Sequence, residues 1–379
     1  MIPYGRQFVE KDDIEEVVKV LKSDFLTQGP KIEEFERDLS KYCGCKYAVV
    51  FNSGTSALHG AYFSLGLKKG FEFITSPNTF VATSNAGIYV GLNPVFVDIE
   101  KDTGNMDVLK VEKSITPKTK VIVPIHYAGH PANMEKLYKI ARKNKLHIIE
   151  DACHSLGAKY KGEKIGSCKY SDMAVLSFHP VKHITTGEGG AVLTNNKKYF
   201  EKLKMFRSHG ITKENFVNKS AGGWYYEMQF LGYNYRMTDI QAALGISQLK
   251  KLNKFVEKRR AIVALYEKAL KNNPYFDIPV EKGYAYSSYH LYPIRLKDKY
   301  KNKREDIFSR MRKIGLGVQV HYIPVHWQPY YKGLGFKKGI CPVAEDFYQR
   351  EISIPLYPSM KKEDIQYVIE KVVDVFKEN

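Results

Sequence analysis

Lys182 sits three residues beyond the apolar run MAVLSFH (173–179), in the turn-rich stretch HPVKHITTGEGGAV. A lysine amine withdrawn from water gives up its proton and becomes a nucleophile toward carbonyl carbons. Most of the chain's many lysines are solvated surface charges, so position is what singles this one out. Asp151 ends the apolar run LHIIED. A carboxylate at the end of a buried strand needs a cationic or hydrogen-bonding partner. It can therefore serve as counter-ion to a cationic ligand atom, or as the N-cap of the next segment. The stretch NSGTSA (52–57) follows another apolar run and opens a helical one. Its small residues let backbone N–H groups at a helix start reach a phosphate; a plain tight turn has the same composition. The Walker spacing is absent. Ser177 adds a hydroxyl at the end of the strand before Lys182.

The surrounding elements decide whether these residues can meet. KYAVVFN (46–52), FEFITSP (71–77), NPVFVDIE (93–100), KVIVPIHYAG (120–129), LHIIEDA (146–152), MAVLSFH (173–179) and AVLTN (191–195) read as short strands. Helical stretches separate most of them, among them GTSALHGAYFSLGL and MEKLYKIARKN. This alternation predicts an α/β fold with a mostly parallel central sheet flanked by helices. Chemistry in such sheets gathers at the carboxyl ends of the strands, where Asp151, Ser177, Lys182 and the NSGTSA turn all fall. A long helix is expected over about 239–272, capped by Thr238. Beyond it, HLYPIRL (290–296) and GVQVHYIP (317–324) read as strands and EDIFSRMRKIG and KEDIQYVIEKVVDVFK as helices. The expected division is a large domain over 1–250 and a smaller α+β domain over 251–379. The segment 212–230 has weak periodicity and reads as a long loop.

Phosphate turn, strand-end carboxylate and strand-end lysine together match pyridoxal 5′-phosphate. That cofactor carries a phosphate, a ring nitrogen that wants an acidic partner and an aldehyde that wants a lysine. At these residues the chain resembles the DegT/DnrJ/EryC1/StrS aminotransferases over essentially its full length. The blocks are NSGTSALH (52–59), SPNTFVATSNA (76–86), EDACHSLGA (150–158), SFHPVKHITTGEGGAV (177–192), FRSHGI (206–211), GYNYRMTDIQAALGISQLKKL (232–252) and GVQVHYIPVH (317–326). The resemblance implies the fold type I architecture of pyridoxal phosphate enzymes. It implies that Lys182 carries the cofactor, Asp151 pairs its ring nitrogen, and Gly54, Thr55 and Ser177 hold its phosphate. It also implies that Phe80 stacks on the ring, that His154 lies near its phenolic oxygen, and that Asn234 reaches the phosphate from the partner subunit of a homodimer. Tyr4, Phe25, Leu26, Thr27, His321 and Tyr322 fall near the sugar-nucleotide. His183 stands where many relatives have proline. Within the family, GGWYYEMQFLGYNYRMTD with VQVHYIPV is most similar to the C4 aminotransferases of pseudaminic acid biosynthesis. That likeness implies a UDP-linked 4-keto-6-deoxy-N-acetylhexosamine as acceptor and glutamate as amino donor.

Composition narrows the alternatives. The formal net charge is +18, which would suit nucleic acid or an anionic small molecule. The lysines are dispersed and no DNA- or RNA-reading motif is present, so attraction of a small anion is the expected use. No apolar run approaches the roughly 20 residues of a membrane span. Five cysteines without a CxxC pair read as free thiols in the reducing cytoplasm. Cys43 and Cys45 lack a second ligand cluster, so no metal site is expected. A sugar dehydratase of the same family, with histidine replacing the lysine, and a non-enzymatic sensor or DNA-binding protein are the competing readings.

Overall fold

The computed structural model describes residues 1–219 and 222–377. Its central sheet holds seven strands in the spatial order Tyr47–Phe51, Gly190–Thr194, Met173–Ser177, His147–Asp151, Thr119–Val123, Glu72–Thr75, Asn93–Phe96. Gly190–Thr194 runs antiparallel to both neighbours, and the remaining pairs are parallel. The alternation of side chains divides this sheet between two apolar layers, one on each face. Val50, Ile74, Ile122, Ile148, Leu176 and Leu193 enter one, while Val49, Phe73, Val121, Ile149, Val175 and Val192 enter the other. Burial on both faces is why the strands read as continuous apolar runs rather than as alternating ones.

The long helix spans Asp239–Leu270. Thr238 caps it: its side chain accepts from the Gln241 N–H, and the Gln241 side chain accepts from the Thr238 N–H. At 1.5 Å per residue the helix is about 48 Å long and contributes to two hydrophobic cores. Its residues from Ala242 to Val256 pack into the core of the large sheet, and Ile262, Val263, Tyr266 and Leu270 into a second core. That second core lies against an antiparallel sheet of Phe276–Asp277, Tyr292–Leu296 and Glu351–Ile354. Helices Arg304–Lys313 and Lys362–Asp374 complete it. At the chain start, Ile2–Pro3 pairs in parallel with Leu316–Gly317, which brings Tyr4 to Leu356, whose N–H donates to the Tyr4 carbonyl at 3.0 Å.

Two expectations differ in detail. The strand expected over 317–324 reduces to Leu316–Gly317, with one further bridge from Gln319 to Ser353. Pro324 cannot donate to a ladder, and the His321 N–H is taken by the Glu351 side chain instead of a strand, at 2.7 Å. The region expected as a long loop over 212–230 is closed by a short ladder between Ile211–Thr212 and Glu227–Met228. The Glu227 carboxylate accepts from the N–H groups of Val217 and Asn218, both at 2.7 Å.

Candidate active site

A cavity of about 440 Å³ opens at the carboxyl ends of Tyr47–Phe51, His147–Asp151 and Met173–Ser177. Ten of the residues expected from sequence line it: Tyr4, Gly54, Thr55, Phe80, Asp151, His154, Ser177, Lys182, His321 and Tyr322. They come from both ends of the chain. Tyr322 Oη and His154 Nε2 lie 3.0 Å apart across 168 positions of sequence.

The helix Gly54–Ser64 begins at the cavity wall. Ser53 caps it by accepting from the Ser56 N–H at 3.1 Å. The next N–H groups, those of Gly54 and Thr55, are left at the cavity for an anion. Glycine at position 54 keeps this approach open: a Cβ there would stand 3.0 Å from Ser177 Cβ and 3.1 Å from its Oγ, tight enough to push the Ser177 side chain aside.

Asp151 is buried but not unsatisfied. One carboxylate oxygen accepts from Thr83 Oγ1 at 2.5 Å and the other from the Cys153 N–H at 3.2 Å. Thr83 Oγ1 lies 2.7 Å from Thr79 Oγ1, which makes a short chain of hydroxyls behind the carboxylate. Sequence reasoning missed Thr79 and Thr83. Both stand in the block SPNTFVATSNA, and their only signal is the polar character of two positions four apart at a buried helix start.

Lys182 follows a turn in which its own N–H donates to the His179 carbonyl at 2.9 Å. Its side chain lines the cavity and is part-buried. Loss of solvation pushes its pKa below the usual lysine range, and the nearby Asp151 carboxylate pulls back only in part. His154 is driven well below its ordinary pKa, first by burial and then by the nearby Lys182, so it is neutral. Its Nδ1 is buried without a hydrogen-bond partner, and Phe80 presents an exposed ring at the same cavity. An anion cradle, a satisfied carboxylate, a desolvated lysine, a free imidazole nitrogen and a bare aromatic face are what pyridoxal phosphate requires, so the residues present fit that group.

His183 faces elsewhere: it lies outside the cavity wall, with Nε2 3.1 Å from the Ser288 carbonyl. The histidine-for-lysine chemistry of a dehydratase has no histidine at the lysine's place. The remaining four expected residues do not line the cavity of this chain. Phe25 and Leu26 are about half exposed, and Thr27 bridges to Thr238. Asn234 is exposed, next to Tyr235, whose carbonyl accepts from the Asn52 N–H at the outer side of the phosphate turn.

A family model described as the DegT/DnrJ/EryC1/StrS aminotransferase family matches residues 7–373. The chain is 42% identical over 371 residues to UDP-4-amino-4,6-dideoxy-N-acetyl-beta-L-altrosamine transaminase of Campylobacter jejuni, covering 97% of this chain and 96% of that protein. Among solved structures, Helicobacter pylori PseC, an aminotransferase of pseudaminic acid biosynthesis, superposes with a TM-score of 0.94 at 38% identity over the whole of both chains. The PLP-form of Spr1654 from Streptococcus pneumoniae matches with a TM-score of 0.93 at 32% identity, over 100% of this chain and 99% of that one.

Proposed function

The chain belongs to the DegT/DnrJ/EryC1/StrS aminotransferase family, and from that premise we propose that it moves an amino group from glutamate to C4 of a UDP-linked 4-keto-6-deoxy-N-acetylhexosamine, in pseudaminic acid biosynthesis. It is a pyridoxal phosphate-dependent nucleotide-sugar aminotransferase. The observation that carries the reading is the meeting of Lys182, Asp151 and the Gly54–Ser64 helix start at one cavity.

Bound pyridoxal phosphate supplies an electron sink for the carbon that gains or loses its proton. The N–H groups of Gly54 and Thr55, with Ser177 Oγ, would hold its phosphate, and Lys182 its aldehyde carbon. The Asp151 carboxylate would hold a proton on its ring nitrogen. Lys182 Nζ, easily neutral because it is desolvated, takes the proton from the donor's α-carbon as general base and returns a proton as general acid. Phe80, whose exposed ring lines the cavity, would pack on one face of the cofactor ring and leave the opposite face to react. Tyr4, His321 and Tyr322 offer hydroxyl and imidazole groups to the sugar. The UDP-4-keto sugar is expected to be aminated in preference to its 3-keto isomer.

We assign the working unit to a homodimer. Phe25, Leu26, Thr27 and Asn234 lie outside their own chain's cavity and would complete the partner's. Trp224, Tyr226, Met228 and Leu231 form an exposed apolar group that an isolated chain would leave in water. Lys182→Ala and Asn234→Asp chains, each inactive alone, are expected to complement when subunits exchange. A mixed dimer has one site with both defects and one with neither, so random mixing restores about a quarter of wild-type sites. Failure to complement after verified exchange contradicts the shared site. The five cysteines are unpaired, and among the described residues no helix is long and apolar enough to cross a membrane. Free thiols support a reducing compartment, and we place the enzyme in the cytoplasm.

A further inference from the structure

The strand Glu351–Ile354 reads EISI. Ile352 and Ile354 turn into the second core, while Glu351 and Ser353 turn the other way and meet His321. The Gln319–Ser353 bridge lays the chain before His321 along this strand's edge. His321 is then held at three atoms. Its N–H donates to Glu351 Oε2 at 2.7 Å, its carbonyl accepts from Tyr127 Oη at 2.7 Å, and its Nδ1 lies 2.8 Å from Ser353 Oγ. Ser353 Oγ in turn is hydrogen-bonded to Glu351 Oε1. The ring lines the active-site cavity, and no hydrogen bond among the described residues uses its Nε2.

Glu351 is fully buried, and no ion pair among the described residues includes it. Arg304 is the cation whose field opposes protonation; Arg295 stands opposite on the neighbouring strand, its guanidinium bonded to the Lys101 carbonyl. The phenols of Tyr127 and Tyr322 also lie within the reach of its charge. Burial dominates and pushes the Glu351 carboxyl up to about 8. Burial, helped by Lys182, pushes the His321 imidazole down to about 3. His321 is therefore neutral at working pH, and the open question at this ring is which nitrogen carries the hydrogen.

We infer that Glu351 and Ser353 are positioning residues that set the tautomer of His321, so that a single proton on Glu351 makes Nε2 a donor to the substrate and its loss makes Nε2 an acceptor. With Glu351 protonated, its O–H donates to Ser353 Oγ, the Ser353 O–H donates to His321 Nδ1, and the ring hydrogen sits on Nε2. With Glu351 ionised, the Ser353 O–H donates to the carboxylate, His321 Nδ1–H donates to Ser353 Oγ, and Nε2 offers a lone pair. The backbone bond to Oε2 persists in both states. A sugar ketone or hydroxyl oxygen can accept from Nε2–H, so the protonated relay is the form suited to a keto sugar. This consequence rests on the reading that His321 meets the sugar; the relay itself does not.

The test is nitrogen NMR of the pyridoxal phosphate-loaded enzyme labelled with ¹⁵N-histidine, with His321 assigned by its loss in His321→Gln. Between about pH 6 and about pH 10, the two sides of the Glu351 titration, the His321 hydrogen is expected to move from Nε2 to Nδ1. Glu351→Gln keeps an N–H donor toward Ser353 and should hold the hydrogen on Nε2 at both pH values. Ser353→Ala breaks the chain, and its His321 tautomer should no longer follow pH. A wild-type tautomer indifferent to pH, or a switch that survives in either variant, overturns the relay. The apparent KM for the UDP-4-keto sugar should rise about tenfold over the same range in the wild type and stay flat in Glu351→Gln. A tautomer that switches without moving KM would leave the relay standing and remove His321 from the sugar site.

Discussion

Lys182→Ala is expected to lower transamination by at least about 10⁴-fold, because one amine both holds the cofactor and carries the proton at the reacting carbon. No other lysine lines the cavity among the described residues. His154 and His321 are neutral imidazoles with depressed pKa values, too weakly basic to substitute for an amine. The fold should survive, since the contact that sets the turn is the backbone bond from Lys182 N–H to the His179 carbonyl. Circular dichroism and hydrodynamic size should therefore match wild type while the visible absorption of lysine-held cofactor disappears. Turnover within tenfold of wild type would refute the assignment.

Asp151→Asn should cost on the order of 10²-fold in turnover with little loss of stability. An opposite charge at this range shifts a partner's pKa by about 1–3 units, and the carboxylate's task is to keep a proton on the cofactor's ring nitrogen. Asparagine keeps the shape and can keep the hydrogen bonds. Its oxygen accepts from the Cys153 N–H, and its amide donates to Thr83 Oγ1, whose hydroxyl then turns to Thr79. Asp151→Ala leaves the Cys153 N–H unsatisfied in a buried place, takes the carboxylate acceptor from the Thr83 hydroxyl, and should also lower Tm. Equal thermal loss in the two variants, or normal turnover in Asp151→Asn, would show that Asp151 is a structural cap.

Part of this site was legible because strand-end logic needs only local pattern. NSGTSA, Asp151, Ser177 and Lys182 each follow an apolar run, and a parallel sheet brings such ends together whatever the loops do. The hydroxyl chain behind Asp151 was not legible: Thr79 and Thr83 look like ordinary residues at the start of a helix until the distant carboxylate is placed. GVQVHYIP alternates as a strand should, yet past the Gln319–Ser353 bridge its His321 is satisfied by Glu351, Ser353 and Tyr127 rather than by a ladder. Those partners are remote in sequence, and no local period announces them. For Phe25, Leu26, Thr27 and Asn234 a single chain offers only surface, and a role for them needs a second copy.

The proposed reaction transfers nitrogen from glutamate to C4 of the UDP-linked keto sugar. It is tested by supplying ¹⁵N-glutamate with equal amounts of the UDP-4-keto-6-deoxy-N-acetylhexosamine and a 3-keto isomer, and locating the label in the product by NMR. The label is expected on C4 of the UDP-sugar, with 2-oxoglutarate formed in equal amount; label on C3, or 2-oxoglutarate formed with no labelled sugar, would contradict it.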